Sequence, residues 1–207
     1  MGSKLRIAIF ASGQGSNFQA IADAVQHRKL DCSIELLVCD KPAAPVVERA
    51  HQSGVEAFVF QPKQYASRAD YEAEILLELQ KRSVDLIVLA GYMRIITNTL
   101  VEPYYGKMIN IHPSLLPAFP GVAAMEQALE YGVKVTGVTV HFVDGGMDTG
   151  PIIAQQAVDI RPDETIETLA ARIHAVEQEL YPAVINQIAN QQIKLTGRHV
   201  QIITNAN

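Results

Sequence analysis

The sequence predicts an α/β protein: a Rossmann-like, mostly parallel twisted sheet with helices on both faces and an antiparallel C-terminal part. Short apolar runs alternate with amphipathic stretches from Lys4 to Ala90, the rhythm of βαβ units. The run Val84–Ala90 is apolar apart from Asp85 and does not alternate, which is how a strand covered on both faces reads. Farther on, an alternating stretch at 134–143, a glycine-rich turn and a returning strand at 151–160 read as an antiparallel pair.

The elements follow in order. Lys4–Phe10 reads as a strand, Ala11–Asn17 as a loop of small residues and Phe18–Arg28 as a helix. Gly13 and Gly15 permit the backbone to approach a ligand, and Ser16 and Asn17 can cap the helix while its first N–H groups face an anion. The loop is not a Walker loop, which needs Gly-Lys-Ser/Thr, nor a full dinucleotide fingerprint, because residue 18 is Phe. A phosphate cradle and a plain glycine-rich turn both fit it. Ser33–Asp40 then reads as a strand, Ala43–Ser53 as a helix, Val55–Phe60 as a strand, and Ser67–Arg82 as a helix with Ile75, Leu76 and Leu79 on its apolar stripe.

In sheets of this kind ligands sit beyond the carboxyl ends of the strands, which directs attention to loops 11–17, 90–96 and 112–121. Loop 91–96, Gly-Tyr-Met-Arg-Ile-Ile, sets one arginine among apolar side chains. That would suit a flat heterocycle with polar edges, although the loop taken alone favours a surface arginine beside a hydrophobic staple.

Met108–Ile111 is the next strand, and it delivers Asn110 and His112 into Pro113-Ser114-Leu115-Leu116-Pro117. Residues two apart on an extended chain share a face, so a carboxamide and an imidazole point the same way. Both can donate to a carbonyl oxygen that gathers negative charge. A strand end carrying a core histidine and a turn asparagine has the same pattern.

Gly121–Tyr131 reads as a helix, and His141, mid-strand in 134–143, as structural. Asp148, in the turn Asp144–Gly150, is the third member attached to Asn110 and His112, because a nearby carboxylate favours a charged imidazole. Spacing alone does not show that it reaches the ring.

The longest helical run is Thr165–Gln192, with Asp163 or Thr165 as its cap and a kink expected at Pro182. Its stripe is Ile166, Leu169, Ile173, Val176, Leu180 and Val184, and Glu177 falls inside it. A carboxylate there needs a partner; a bound amine or hydroxyl fits, and so does a core arginine or a position at the edge of the stripe. His199–Ile203 reads as an added edge strand.

At 207 residues, with 48% hydrophobic and 19% charged, the chain is expected to form one domain with a substantial core. A net charge of −5 argues against a wide surface for nucleic acid or anionic membrane, while leaving room for a local basic pocket. Cys32, next to the predicted strand Ser33–Asp40, and Cys39 within it lie at an odd separation, so on an extended chain they face opposite sides and do not pair there. A reduced, cytoplasmic setting fits. The first apolar run, Leu5–Ala11, is short and interrupted by Arg6, so no signal peptide or spanning helix is expected.

Asn-Ile-His-Pro-Ser-Leu-Leu-Pro at 110–117, preceded by Ala-Ser-Gly-Gln-Gly-Ser-Asn at 11–17 and followed by Val-Asp-Gly-Gly-Met-Asp-Thr-Gly-Pro-Ile-Ile at 143–153, resembles the folate-dependent formyltransferases. The resemblance spans nearly the whole chain. The Gly-Ser-Asn loop selects within the family the branch that formylates phosphoribosylglycinamide in purine synthesis. The branch acting on methionyl-tRNA follows its leucines with an Arg-Gly-Ala-Ala-Pro type run, where this chain has Ala-Phe-Pro-Gly-Val. The deformylase branch lacks the Gly-Ser-Asn loop and carries a regulatory domain ahead of a core that here starts directly at the first strand. One departure is Val122-Ala123-Ala124-Met125, where relatives carry more polar residues.

The resemblance implies a single formyltransferase domain over 1–207, with a nucleotide-phosphate-binding half over 1–100 and a folate-binding and catalytic part over 90–190. It implies 10-formyltetrahydrofolate as co-substrate, no metal, no nucleic-acid or membrane partner, and a monomer or homodimer. By the same resemblance Asn110, His112 and Asp148 are catalytic, and Gly15, Ser16, Asn17, His174 and Glu177 hold the ribonucleotide. Folate falls to Arg68, Met93, Arg94, Ile95, Ile96, Asn110, Val143, Asp144 and Met147, with Arg68 at a position that contacts its glutamate carboxylate.

Overall fold

A computed structural model describes residues 4–203. The strands are Leu5–Phe10 (β1), Cys32–Cys39 (β2), Ala57–Val59 (β3), Leu86–Leu89 (β4), Met108–His112 (β5), Val135–Phe142 (β6), Ile152–Asp159 (β7), Ile193–Thr196 (β8) and His199–Ile202 (β9). The helices are Ser16–Gln26 (α1), Pro45–Gln52 (α2), Arg68–Lys81 (α3), Asn98–Val101 (α4), Ala124–Tyr131 (α5) and Ile166–Ala189 (α6). The main sheet runs β3-β2-β1-β4-β5-β6-β7 and is mostly parallel, as predicted.

By packing the chain divides into two compact units, residues 1–109 and 110–207. In the first, β1 pairs in parallel with β2 and β4, and β2 with β3. The loops that follow β1, β2 and β4 therefore leave from one edge. Ile7, Ala8, Ile9 and Phe10 are all fully buried, as are Ile87 and Val88, so these strands lack alternation because both of their faces are covered. Ser67 starts α3 with a capping box closed by Asp70, which satisfies donors that a helix start leaves open. Ile75 and Leu79 turn inward from it, whereas Leu76 is only half-buried.

In the second unit β6 and β7 pair antiparallel, from Val135 opposite Asp159 to His141 opposite Ile152. The cap of α6 is Thr165, in a box with Thr168, and the helix continues through Pro182 without ending. Its buried face is Leu169, Ile173, Glu177, Tyr181 and Ile185, with Val184. Val176 and Leu180, expected on the stripe, are half-buried at its edge, because repeated steps of four residues carry the inward face through Glu177 instead. The C-terminal strand is a correction. β9 does not extend the main sheet but pairs with β8 through the two-residue turn Gly197-Arg198, from Thr196 opposite His199. A partner two residues away costs little loop-closure entropy.

Candidate active site

The two-residue spacing on β5 has the predicted consequence: Asn110 and His112 each meet a partner from the 141–148 segment. His112, 5% exposed, donates from Nε2 to the Phe119 carbonyl at 2.8 Å and turns Nδ1 toward Asp148 Oδ2 at 3.5 Å. Asn110 Nδ2 lies 3.3 Å from His141 Nε2. His141 Nδ1 donates to the Phe142 carbonyl at 2.8 Å, so its Nε2 is the acceptor and the Asn110 amide nitrogen is the end that faces it. Burial pushes the His141 imidazole below its usual pKa, against the Phe142 carbonyl and the Asp148 carboxylate, which raise it.

Asp148 sits in the left-handed region at φ 55, accepts from the Gly121 amide at 2.7 Å, and has Oδ1 3.7 Å from His141 Nε2. One carboxylate thus faces both imidazoles. Its loop is shaped by Asp144, whose Oδ1 accepts from Gly146 N at 3.0 Å and Thr149 Oγ1 at 2.6 Å. The loop closes at Gly150, where an added Cβ would fall 1.7 Å from the Phe142 carbonyl oxygen. Only glycine fits there. Val143 is half-buried and Met147 is 58% exposed. Beneath the proline-rich turn, buried Thr139 donates to the Ser114 carbonyl at 2.7 Å and accepts from Leu116 N at 3.0 Å.

Of the residues predicted on α6, Glu177 is buried at 6% and His174 is exposed. Tyr181, one turn on, is fully buried, and burial followed by the Glu177 carboxylate pushes its hydroxyl well above the ordinary value.

In the first unit, Gly15 is the N-cap of α1 at φ 74, with no side chain capping the helix. This corrects the expected role of Ser16 and Asn17, which are the first two helical residues, not caps. Gln19 N donates back along the helix to the Gly15 carbonyl at 2.9 Å. A Cβ on Gly15 would lie 2.5 Å from Val46 Cγ2, so a side chain is excluded by both conformation and space. Arg49 of α2 donates to the Gln14 carbonyl at 2.8 Å and brings a positive charge to the loop.

Loop 91–97 is tied down by its polar groups. Ser12 N donates to the Gly91 carbonyl at 3.1 Å, Met93 N to Ser12 Oγ at 2.9 Å, and Arg94 Nε to Asp40 Oδ2 at 2.7 Å. Its apolar side chains point the other way: Met93 is 69% and Ile95 58% exposed, with Ile96 half-buried. Arg68 is the exposed first residue of α3. Among the described residues no group of three or more His, Cys, Asp or Glu is arranged to hold a metal ion.

A family model described as formyl transferase matches residues 5–185. The chain belongs to the formyl transferase family. The phosphoribosylglycinamide formyltransferase of Bacillus subtilis is 54% identical over 183 residues, covering 88% of this chain and 94% of that protein. The crystal structure of glycinamide ribonucleotide transformylase 1 from Symbiobacterium toebii superposes with a TM-score of 0.96 at 42% identity, covering 99% of this chain and 96% of that one. That of Geobacillus kaustophilus gives 0.89 at 58% identity, covering 90% and 100%.

For a formyl transferase, the sequence reading found the residues that the structure gathers at β5 but missed what orients them. His141, expected to be structural, is buried in β6 at 2% exposure and from there faces the Asn110 amide. Its signal was available in the strand alternation, which places His141 on one face with Thr139. The Phe119 carbonyl and the Gly121 amide carry no side-chain signal at all. Arg49 had none beyond its charge.

Proposed function

We propose that this formyl transferase moves the formyl group of 10-formyltetrahydrofolate to the glycyl amine of phosphoribosylglycinamide, giving the N-formyl product and tetrahydrofolate in purine synthesis. The observation that carries the reading is Asp148 Oδ2 at 3.5 Å from His112 Nδ1, beside an Asn110 amide turned by His141. The neutral amine attacks the formyl carbon, a C–N bond forms, and the carbonyl π pair moves onto oxygen. Asn110 Nδ2 has two hydrogens, one toward His141 and one for this oxyanion, while a protonated His112 supplies positive charge. On collapse the carbonyl re-forms, the bond to N10 breaks, and N10 keeps the electron pair. The proton that the amine gives up goes to N10 through the His112–Asp148 pair and water. Nothing is oxidised or reduced.

In this reading Gly15, Ser16 and Asn17 receive the phosphate at the start of α1, with Arg49 adding charge. His174 and Glu177 face the ribonucleotide. Met93 to Ile96, Asn110, Val143, Asp144 and Met147 receive the folate, and Arg68 its glutamate carboxylate. A cytoplasmic setting, no metal, and a monomer or homodimer complete the reading, and light scattering separates the last two.

The test measures release of deformylated folate with and without the ribonucleotide. Turnover only with the ribonucleotide is expected. Equal turnover without it would make water the acceptor and end the phosphate-cradle reading. Asn110→Ala and His112→Ala are expected to fold and to lose roughly 100-fold or more in kcat, the usual cost of one oxyanion donor for the first and of one proton-transfer group for the second. Near wild-type turnover in His112→Ala overturns the mechanism.

A further inference from the structure

Glu72 belongs to no part of the reaction described above, yet it is 2% exposed on α3, and a buried carboxylate has to be used. It accepts from Thr97 N at 3.0 and 3.2 Å and from Thr97 Oγ1 at 2.5 Å. Thr97 is where loop 91–97 ends and, as its N-cap, where α4 begins, its hydroxyl also accepting from Thr99 N at 3.3 Å. The upstream half of the loop is held by Ser12 and by the buried Asp40 on Arg94. Its downstream end is held by Glu72. Between these anchors the loop turns Met93 and Ile95 outward at 69% and 58% exposure, and large apolar side chains keep that orientation only if the backbone is prevented from collapsing around them.

We propose that Glu72 is a positioning residue for the folate side of the site, holding the downstream end of loop 91–97 in the shape that presents Met93 and Ile95 to the co-substrate. The inference rests on the assignment of that loop to folate made above. Glu72 also lies one helical turn from Arg68 on α3, so the same helix face carries the loop's anchor and the arginine assigned to the folate's glutamate. Charge-assisted hydrogen bonds from one carboxylate to a backbone amide and a hydroxyl are strong and geometrically demanding. Losing them frees the loop's end without removing any group that touches substrate.

The experiment compares KM for each substrate in Glu72→Gln, which keeps shape and one acceptor, in Thr97→Val, and in the two combined. Glu72→Gln is expected to raise KM for 10-formyltetrahydrofolate about tenfold, the scale of one or two such bonds. KM for the ribonucleotide is expected to stay within about twofold and kcat within about threefold, since neither the phosphate loop nor β5 is touched. The combined variant is expected to be no worse than the worse single one, because both changes remove the same contact. A lowered melting temperature with no change in folate KM, or with both KM values rising together, gives Glu72 a purely structural role and overturns the proposal. Met93→Ala/Ile95→Ala serves as the control for the underlying assignment. Unchanged folate KM in that control sinks both ideas, whereas a raised KM there with a normal Glu72→Gln and Thr97→Val sinks only the positioning role.

Discussion

His141 shows how much a single buried side chain decides. Its Nδ1 proton is held by the Phe142 carbonyl, and its Nε2 receives the Asn110 amide. Burial depresses its pKa below the ordinary 6.5. Above about pH 6.5 the ring is neutral both folded and unfolded, so its contribution to stability is then fully present. As the pH falls below that value, the unfolded chain takes up a proton that the folded protein refuses, and stability declines until the folded value is passed. Urea unfolding at pH 7.5 and pH 5.5 should therefore show wild type losing more stability than His141→Gln. Equal losses would mean that the ring is not held neutral. A second residue-scale expectation concerns Ala123, the uncapped N-cap of α5, which occupies the left-handed region at φ 56. Asparagine tolerates that conformation and offers a capping oxygen, so Ala123→Asn should stabilise by about 1 kcal/mol. Thermal melting should then rise by roughly 2–4 °C.

At the scale of the element, the loop proposed to receive the phosphate and the loop carrying Asp148 are both held from outside themselves. The loop before α1 has its glycine pressed against Val46 of α2. Gly15→Ala should cost about 2 kcal/mol through the left-handed backbone alone, and should raise KM for the ribonucleotide more than for folate. Equal effects on the two would detach this loop from the phosphate. The loop carrying Asp148 is held in part by the β8–β9 hairpin, whose Arg198 donates to the Thr149 carbonyl at 2.9 Å. This contact is exposed, so Arg198→Ala should change global stability by no more than about 0.5 kcal/mol. Hydrogen exchange at 145–150 should nevertheless speed up, and unchanged exchange there would leave the hairpin without influence on the loop.

At the scale of the whole molecule, substrates are the remaining source of stability. A ligand that binds only the native state at a hundred times its Kd adds about 2.7 kcal/mol. For a chain of 207 residues this should raise the melting temperature by roughly 5–10 °C. A stable folate analogue and the ribonucleotide together should raise it further than either alone, since separate residues are assigned to each. A combined shift no larger than the greater single one would mean that the two compete. No helix among the described residues is long and apolar enough to cross a membrane.

Much of this was legible in the chain itself, because short-range sterics and periodicity are local. Two-residue spacing put Asn110 and His112 on one face of β5, and the unbroken apolar run of β4 announced a strand covered on both sides. The four-residue steps of α6 put Glu177 in the buried stripe even though the neighbours Val176 and Leu180 were misplaced. Tertiary structure alone decided the partners. Asn110 finds His141 across 31 residues and Thr97 finds Glu72 across 25, and neither pairing leaves a mark in the sequence. The same holds for the groups that orient His112 and Asp148, a carbonyl and an amide that every residue but proline possesses. Side-chain pattern determines which face of an element is buried, whereas which backbone group or carboxylate meets it is settled only when separate elements pack.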